Sequence, residues 1–157
     1  MWVYEKRLQF PVNIKRPDPK AAQIIISQYG GPDGEMGASM RYLSQRYSMP
    51  DNKVAGLLTD IGTEELAHLE IVATMVHQLT RNLTPEQIMN SGFAPYYTDH
   101  TVGVWPQAAG GIPFNACEFQ VKGDPICDLT EDLAAEQKAR VVYDLSLIHI
   151  SEPTRLG

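Results

Sequence analysis

Hydrophobic spacing changes several times along the chain, and each change marks an element. Residues 1–19 mix apolar and charged positions without a period and contain Pro11, Pro17 and Pro19, which reads as an extended arm. Pro19 suits the first position of a helix, so a short helix over 20–28 is predicted, stopping at Gly30 and Gly31. Pro32 restarts a helix with its body over 34–47, where Met36, Met40, Tyr42 and Leu43 fall on one face expected to be buried. Met49 and Pro50 end it, and Asp51 is placed to cap the next helix. That helix, 52–79, is the longest. Leu57, Leu58, Ile61, Leu66, Leu69, Ile71, Val72, Met75, Val76 and Leu79 wrap much of its circumference, which predicts burial on more than one side. Thr84-Pro85-Glu86-Gln87 opens a short helix with a Thr cap, Pro at the first position and Gln at the third, and Gly92 closes it.

Residues 92–123 show no helical period and are punctuated by Gly and Pro. A loop of that length in one domain is usually functional or covers another surface. Phe93, Tyr96, Tyr97, Trp105, Phe114 and Phe119 make it aromatic, so packing against the bundle or a neighbouring subunit is expected. A last helix, 126–144, follows Gly123-Asp124-Pro125. The reading is all-α, with no internal repeat and no low-complexity tract.

Composition changes this picture little. The 157 residues fit one domain, and 43% hydrophobic with 20% charged is ordinary for a globular protein. Thirteen basic against 19 acidic residues give a net charge of −6, which argues against a general nucleic-acid binder. Cys117 and Cys127 do not make a disulfide framework. The N-terminus has no apolar run suited to a signal peptide, and the stretch 21–26 is far short of a membrane span. A soluble protein made in the cytoplasm, without membrane or nucleic-acid partners, is expected.

The C-terminus reads differently. Residues 145–155, LSLIHISEPTR, match the translation of a transposase adapter used in sequencing-library preparation. Residues 145–157 are therefore expected to be a non-native tail, excluded from fold and site reasoning, and His149 is not counted as a metal ligand. The native domain is then 1–144, ending within a helix.

The chemistry sits on the helices. Glu65-Leu66-Ala67-His68 is an E-x-x-H, which places a carboxylate and an imidazole one turn apart on one face. Such pairs build dinuclear carboxylate sites in four-helix bundles. Alone the motif is weak, because a solvated Glu and a surface His occur at this spacing by chance. Its setting in a largely apolar helix strengthens it, since a buried carboxylate needs a partner. Glu35 lies in a first helical turn, where the macrodipole alone also favours an acid. Glu136 lies mid-helix near Lys138 and Arg140, and a solvated face explains it equally. Tyr42, two turns after Glu35, is placed either to hydrogen-bond a ligand carboxylate or to serve as a plain core tyrosine. The four-helix template asks for one more E-x-x-H and a fourth long helix, and both absences fall where the adapter-like tail begins.

The segments MWVYEKRLQFPV, QYGGPDGEMGASMRYLSQRY, GLLTDIGTEELAHLEIVATMV and KGDPICDLTEDLAAEQKAR together resemble the manganese catalase family, most closely its CotJC-type spore-coat branch. The resemblance covers essentially residues 1–144. It implies a ferritin-like four-helix bundle, truncated here so that three long bundle helices are native, with the long loop as the crossover between helix pairs. It implies two manganese ions, with iron as the alternative, held by Glu35, Glu65, His68 and Glu136, and Tyr42 beside them. The family's second histidine and its outer-sphere acid have no counterpart in the chain. Hydrogen peroxide as substrate, a homo-hexamer, contacts with other spore-coat proteins and a place in the cytoplasm or the spore coat are implied in the same way. The truncated chain itself is expected to be inactive.

Overall fold

The structure, a computed structural model, describes residues 3–101 and 103–151, with side chains to residue 146. The all-α expectation holds: the described residues form helices and no strand, apart from one isolated antiparallel bridge between Gln107 and Pro113. In chain order these are α1 (Pro19–Ile25), α2 (Ser27–Gly30), α3 (Glu35–Gln45), α4 (Asn52–Thr80), α5 (Pro85–Met89), α6 (Ala94–His100) and α7 (Pro125–Ser151). None is long and apolar enough to cross a membrane among the described residues.

Local chemistry sets most boundaries. Asp18 caps α1, its side chain accepting from the backbone N–H groups of Lys20 and Ala21, with Pro19 at the first position. Asp51 caps α4 through the N–H of Lys53. Thr84 and Gln87 close a reciprocal capping box on α5, as their spacing predicts. The N-terminal arm lies along α4. The Tyr4 hydroxyl donates to Glu70 at 2.5 Å, and Gln78 bonds the backbone of both Val12 and Ile14.

The hydrophobic core sits at the C-terminal end of α4. Ala21, Ala22, Ile25 and Ile26 meet Val72, Val76 and Leu79 of α4 there, and Phe93, Tyr96 and Tyr97 close it. These aromatics correct the reading of 92–123 as wholly irregular. They stand at i, i+3 and i+4 on or beside α6, and the shortness of that segment hid the period. The expectation of aromatics packed against the bundle holds for them, and Phe93 stacks on Tyr96 with centroids 4.3 Å apart.

Three further expectations change. The apolar face read for α3 holds only in part: Tyr42 is buried, but Met40 is 39% exposed, and the polar Glu35, Ser39, Arg41 and Gln45 are buried as well. α3 packs against both α4 and α7, and its contact with α7 is polar, so the hydrophobic period misses most of the residues buried there. Leu57 of α4, read among the apolar residues that wrap much of that helix, is 56% exposed. α7 extends beyond the expected end at residue 144, continuing to Ser151 without a break. Of the tail expected to be non-native, residues 152–157 lie outside the described residues, and so does the side chain of His149.

α7 buries Asp128, Asp132, Ala135 and Ser146 and exposes Ile126, Leu133, Val141 and Leu145. The buried Asp128 carboxylate accepts from the backbone N–H groups of Lys122 and Gly123, pinning the end of the long loop to the first turn of α7. Gln28 of α2 donates to the carbonyl of Ala139, which holds the middle of α7 against the broken first helix.

Candidate metal centre

Glu35 enters the site from the first turn of α3, directly after its cap Gly34, so its position follows from where Pro32 and Gly34 restart the chain. Glu65 and His68 enter from the middle of α4, one turn apart. Gly62, a turn before Glu65, makes the approach of these helices possible: a Cβ there would stand 2.8 Å from Leu43 and 3.0 Å from the Cβ of Tyr42. With α3 and α4 this close, Glu35, Glu65 and His68 each offer a ligand atom within 4.8 Å of the others. His68 Nδ1 lies 3.0 Å from Glu65 Oε2 and 3.8 Å from Glu35 Oε2. Its Nε2 faces Glu64 at 3.9 Å.

Beside this cluster is a cavity of about 310 Å³, lined from α4 by Glu65 and His68, from α3 by Glu35 and Ala38, and from α7 by Ala135, Glu136, Ala139 and Tyr143. Three of the four sequence-predicted acids and imidazole thus come together directly. Glu136 lines the same cavity but remains exposed and outside the tight cluster. Tyr42 is where the spacing places it: its hydroxyl donates to Glu136 Oε1 at 2.5 Å.

Sequence reasoning missed Tyr143, whose hydroxyl donates to Glu35 Oε1. A signal existed. Tyr143 follows Glu136 by seven residues, the same interval that separates Tyr42 from Glu35.

The electrostatics fit a cation. Burial first, then hydrogen bonding to Glu35, then the charges of Glu35, Glu136 and Glu64 push the Glu65 carboxyl well above the ordinary carboxylate range. Burial and the neighbouring carboxylates push the phenols of Tyr42 and Tyr143 far above their usual value, so both stay hydrogen-bond donors. Hard oxygen donors with one imidazole are the ligand chemistry of manganese or iron. A cation there would offset both the burial and the neighbouring carboxylates that raise Glu65.

Comparison with known proteins agrees. A family model described as "Manganese containing catalase" matches residues 1–155. The chain is 55% identical to Protein CotJC of Bacillus subtilis over 157 residues, spanning the whole chain and 82% of that protein. It is 34% identical to a probable manganese catalase of Clostridium acetobutylicum over 146 residues, 92% of this chain and 65% of that one. The structure of KatB, a manganese catalase from Anabaena, superposes with a TM-score of 0.86 at 29% identity, covering 98% of this chain and 68% of that one. The fold is therefore the ferritin-like helical bundle of these proteins. The chain belongs to the manganese containing catalase family.

Proposed function

We propose that the chain is the greater part of a dimanganese catalase, which disproportionates hydrogen peroxide to water and dioxygen. The convergence of Glu35, Glu65 and His68 on one point beside a small cavity carries this reading. Those three residues and Glu136 are the proposed ligands. Glu65 and Glu136 would hold the metal from two sides, because they line the same cavity from α4 and α7. His68 supplies nitrogen through Nδ1, the ring atom that faces Glu35 and Glu65. When bound, the two ions supply a two-electron reservoir, cycling between paired divalent and paired trivalent states. The chain's own residues hold that reservoir, and Tyr42 fixes the orientation of Glu136 by its hydrogen bond. Iron is the alternative metal, because these donors accept both and selection rests on geometry and supply. Metal analysis after native purification separates the two.

A second histidine and an outer-sphere acid belong, in this reading, to a fourth helix that residues 145–157 do not provide. We take 1–144 as the native part of the domain and 145–157 as adapter-derived. The 157-residue chain is then inactive by itself, while a chain completed to the length of the Bacillus relative is active. The test is dioxygen release from peroxide by the manganese-loaded, completed chain, followed with an oxygen electrode. Steady release, lost in Glu65→Ala/His68→Ala, is expected; no release overturns the proposal. The homo-hexamer of the family is part of the same proposal, and sedimentation of the completed chain tests it.

The 55% identity to CotJC favours a second reading, in which the protein works mainly as a spore-coat component in contact with other coat proteins. A Glu65→Ala/His68→Ala protein that assembles normally into intact coats supports it. Coats left unchanged by loss of the whole protein sink it.

A further inference from the structure

The site contains a reciprocal arrangement that the proposed ligand set does not explain. On α3, Tyr42 follows Glu35 by seven residues; on α7, Tyr143 follows Glu136 by seven. Seven residues are about two helical turns, so each pair lies on one face of its helix. The Tyr42 hydroxyl donates across to Glu136, and the Tyr143 hydroxyl donates back to Glu35. Two such crossed bonds require α3 and α7 to run antiparallel, with each glutamate facing the other helix's tyrosine. The two bonds and the two helix segments form a closed rectangle along one wall of the cavity.

The bonds also divide the work between the two oxygens of Glu35. Oε1 accepts from Tyr143, whereas Oε2 faces His68 Nδ1 at 3.8 Å. A carboxylate with neither oxygen tied can rotate about its last torsion and present either one. With Oε1 engaged, only Oε2 is presented toward His68 and Glu65. Tyr143 is half-buried and lines the cavity, so its ring also limits where the Glu35 side chain can move.

We propose that Tyr143 is a positioning residue for Glu35, the counterpart of Tyr42 on Glu136, and that it presents Glu35 Oε2 to the metal cluster. The metal part of this inference rests on the proposed dinuclear site. The bond between tyrosine and carboxylate does not, and the experiment separates them.

The carboxyl carbons of ¹³C-labelled glutamate are observed by NMR in the metal-free chain, for wild type, Tyr143→Phe and Tyr42→Phe. Tyr143→Phe is expected to move the Glu35 signal and leave Glu136 in place, and Tyr42→Phe to do the reverse. The same proteins are titrated with Mn(II) and followed by electron paramagnetic resonance. Loss of a hydrogen bond of this kind to a ligand costs roughly 10–100-fold in metal affinity, and Tyr143→Phe is expected to show that loss with an altered Mn(II) spectrum. Tyr47→Phe, at an 80% exposed position, is expected to change neither readout. A Glu35 signal that does not move in Tyr143→Phe overturns the proposal. So does a variant that loses thermal stability while keeping wild-type Mn(II) affinity and spectrum. If Tyr143→Phe loses helicity, the wild-type chain decides: a slowly exchanging Tyr143 hydroxyl proton coupled to the Glu35 carboxyl supports the bond, and a freely exchanging one overturns it. Wild-type protein that binds no Mn(II) defeats the metal reading, and the carboxyl signals then decide the tyrosine's role on their own.

Discussion

Asp132 is buried beside the site, and only one of its carboxylate oxygens has a partner. Gln45 Nε2 donates to Oδ1 at 2.8 Å, while Oδ2 is buried without a hydrogen bond. Burial dominates here over the opposing Gln45 bond and the nearby Arg41 charge, and it lifts the Asp132 carboxyl from 3.8 to about 6. The folded state therefore holds this proton more tightly than the unfolded state does. The contribution to stability is fully present below the unfolded value of 3.8 and is lost as pH rises through about 6. Its full size is about 3 kcal/mol at most, from the width of that window. Urea midpoints of the metal-free chain should therefore fall between these pH values, and Asp132→Asn should flatten that part of the profile. An unchanged slope in Asp132→Asn would assign the dependence to another group. Little of this residue's behaviour was legible in the sequence, because an Asp on α7 announces neither its burial nor its orphaned oxygen. Glu65 and His68 were legible for the opposite reason: helical geometry alone fixes their relative placement, whatever the helix packs against. Glu35 and Glu136 needed the family resemblance, and Tyr143 needed the crossed contact with α3.

Element boundaries followed from capping chemistry, which acts within a few residues: Asp18, Asp51 and the Thr84–Gln87 box all do what their local sequence requires. The buried face of α3 did not, because it is decided by a partner far away in sequence. Its seam with α7 consists of polar pairs, Gln45 with Asp132, Tyr42 with Glu136 and Glu35 with Tyr143. A hydrophobic period cannot point to such a face. The long loop is held in the same non-local way. At Gly30 the last residue of α2 touches the loop backbone so closely that a Cβ would stand 2.1 Å from the Gln107 nitrogen. Backbone cannot yield as a side-chain tip can, so Gly30→Ala must push the loop off α2. Overpacking of this kind costs about 1–3 kcal/mol, and the contact here is severe enough to expect the upper part of that range. The lowered urea midpoint should be accompanied by faster proteolysis across residues 104–113. A variant cleaved at the wild-type rate would show that α2 moves instead and the loop keeps its place.

At the scale of the whole molecule, the bundle is one-sided. α3 lies between α4 and α7, and α7 turns an apolar stripe outward: Ile126 is 80% exposed, Leu133 68% and Val141 46%. Their spacing follows one face of the helix, so this is an interface pattern and not scattered surface residues. The related proteins are longer than this chain, which spans 82% of CotJC and 65% of the Clostridium protein. The occupant proposed for the stripe is a fourth bundle helix, which on the proposed reading comes from the part of the longer relatives that this chain does not span. Replacing residues 145–157 by the corresponding C-terminal stretch of the Bacillus relative is then expected to have two linked effects. Amides of α7 around Leu133 and Val141 should gain protection from hydrogen exchange, because the added helix removes that face from water. Mn(II) affinity should rise with it if, as proposed, that helix carries a second histidine to the cavity lined by Glu65 and Glu136. The linkage is the informative part. Protection without a gain in affinity would leave the fourth helix in place but place the remaining ligand elsewhere. A gain in affinity with α7 still unprotected would mean that the stripe faces a neighbouring subunit and not the helix that completes the bundle.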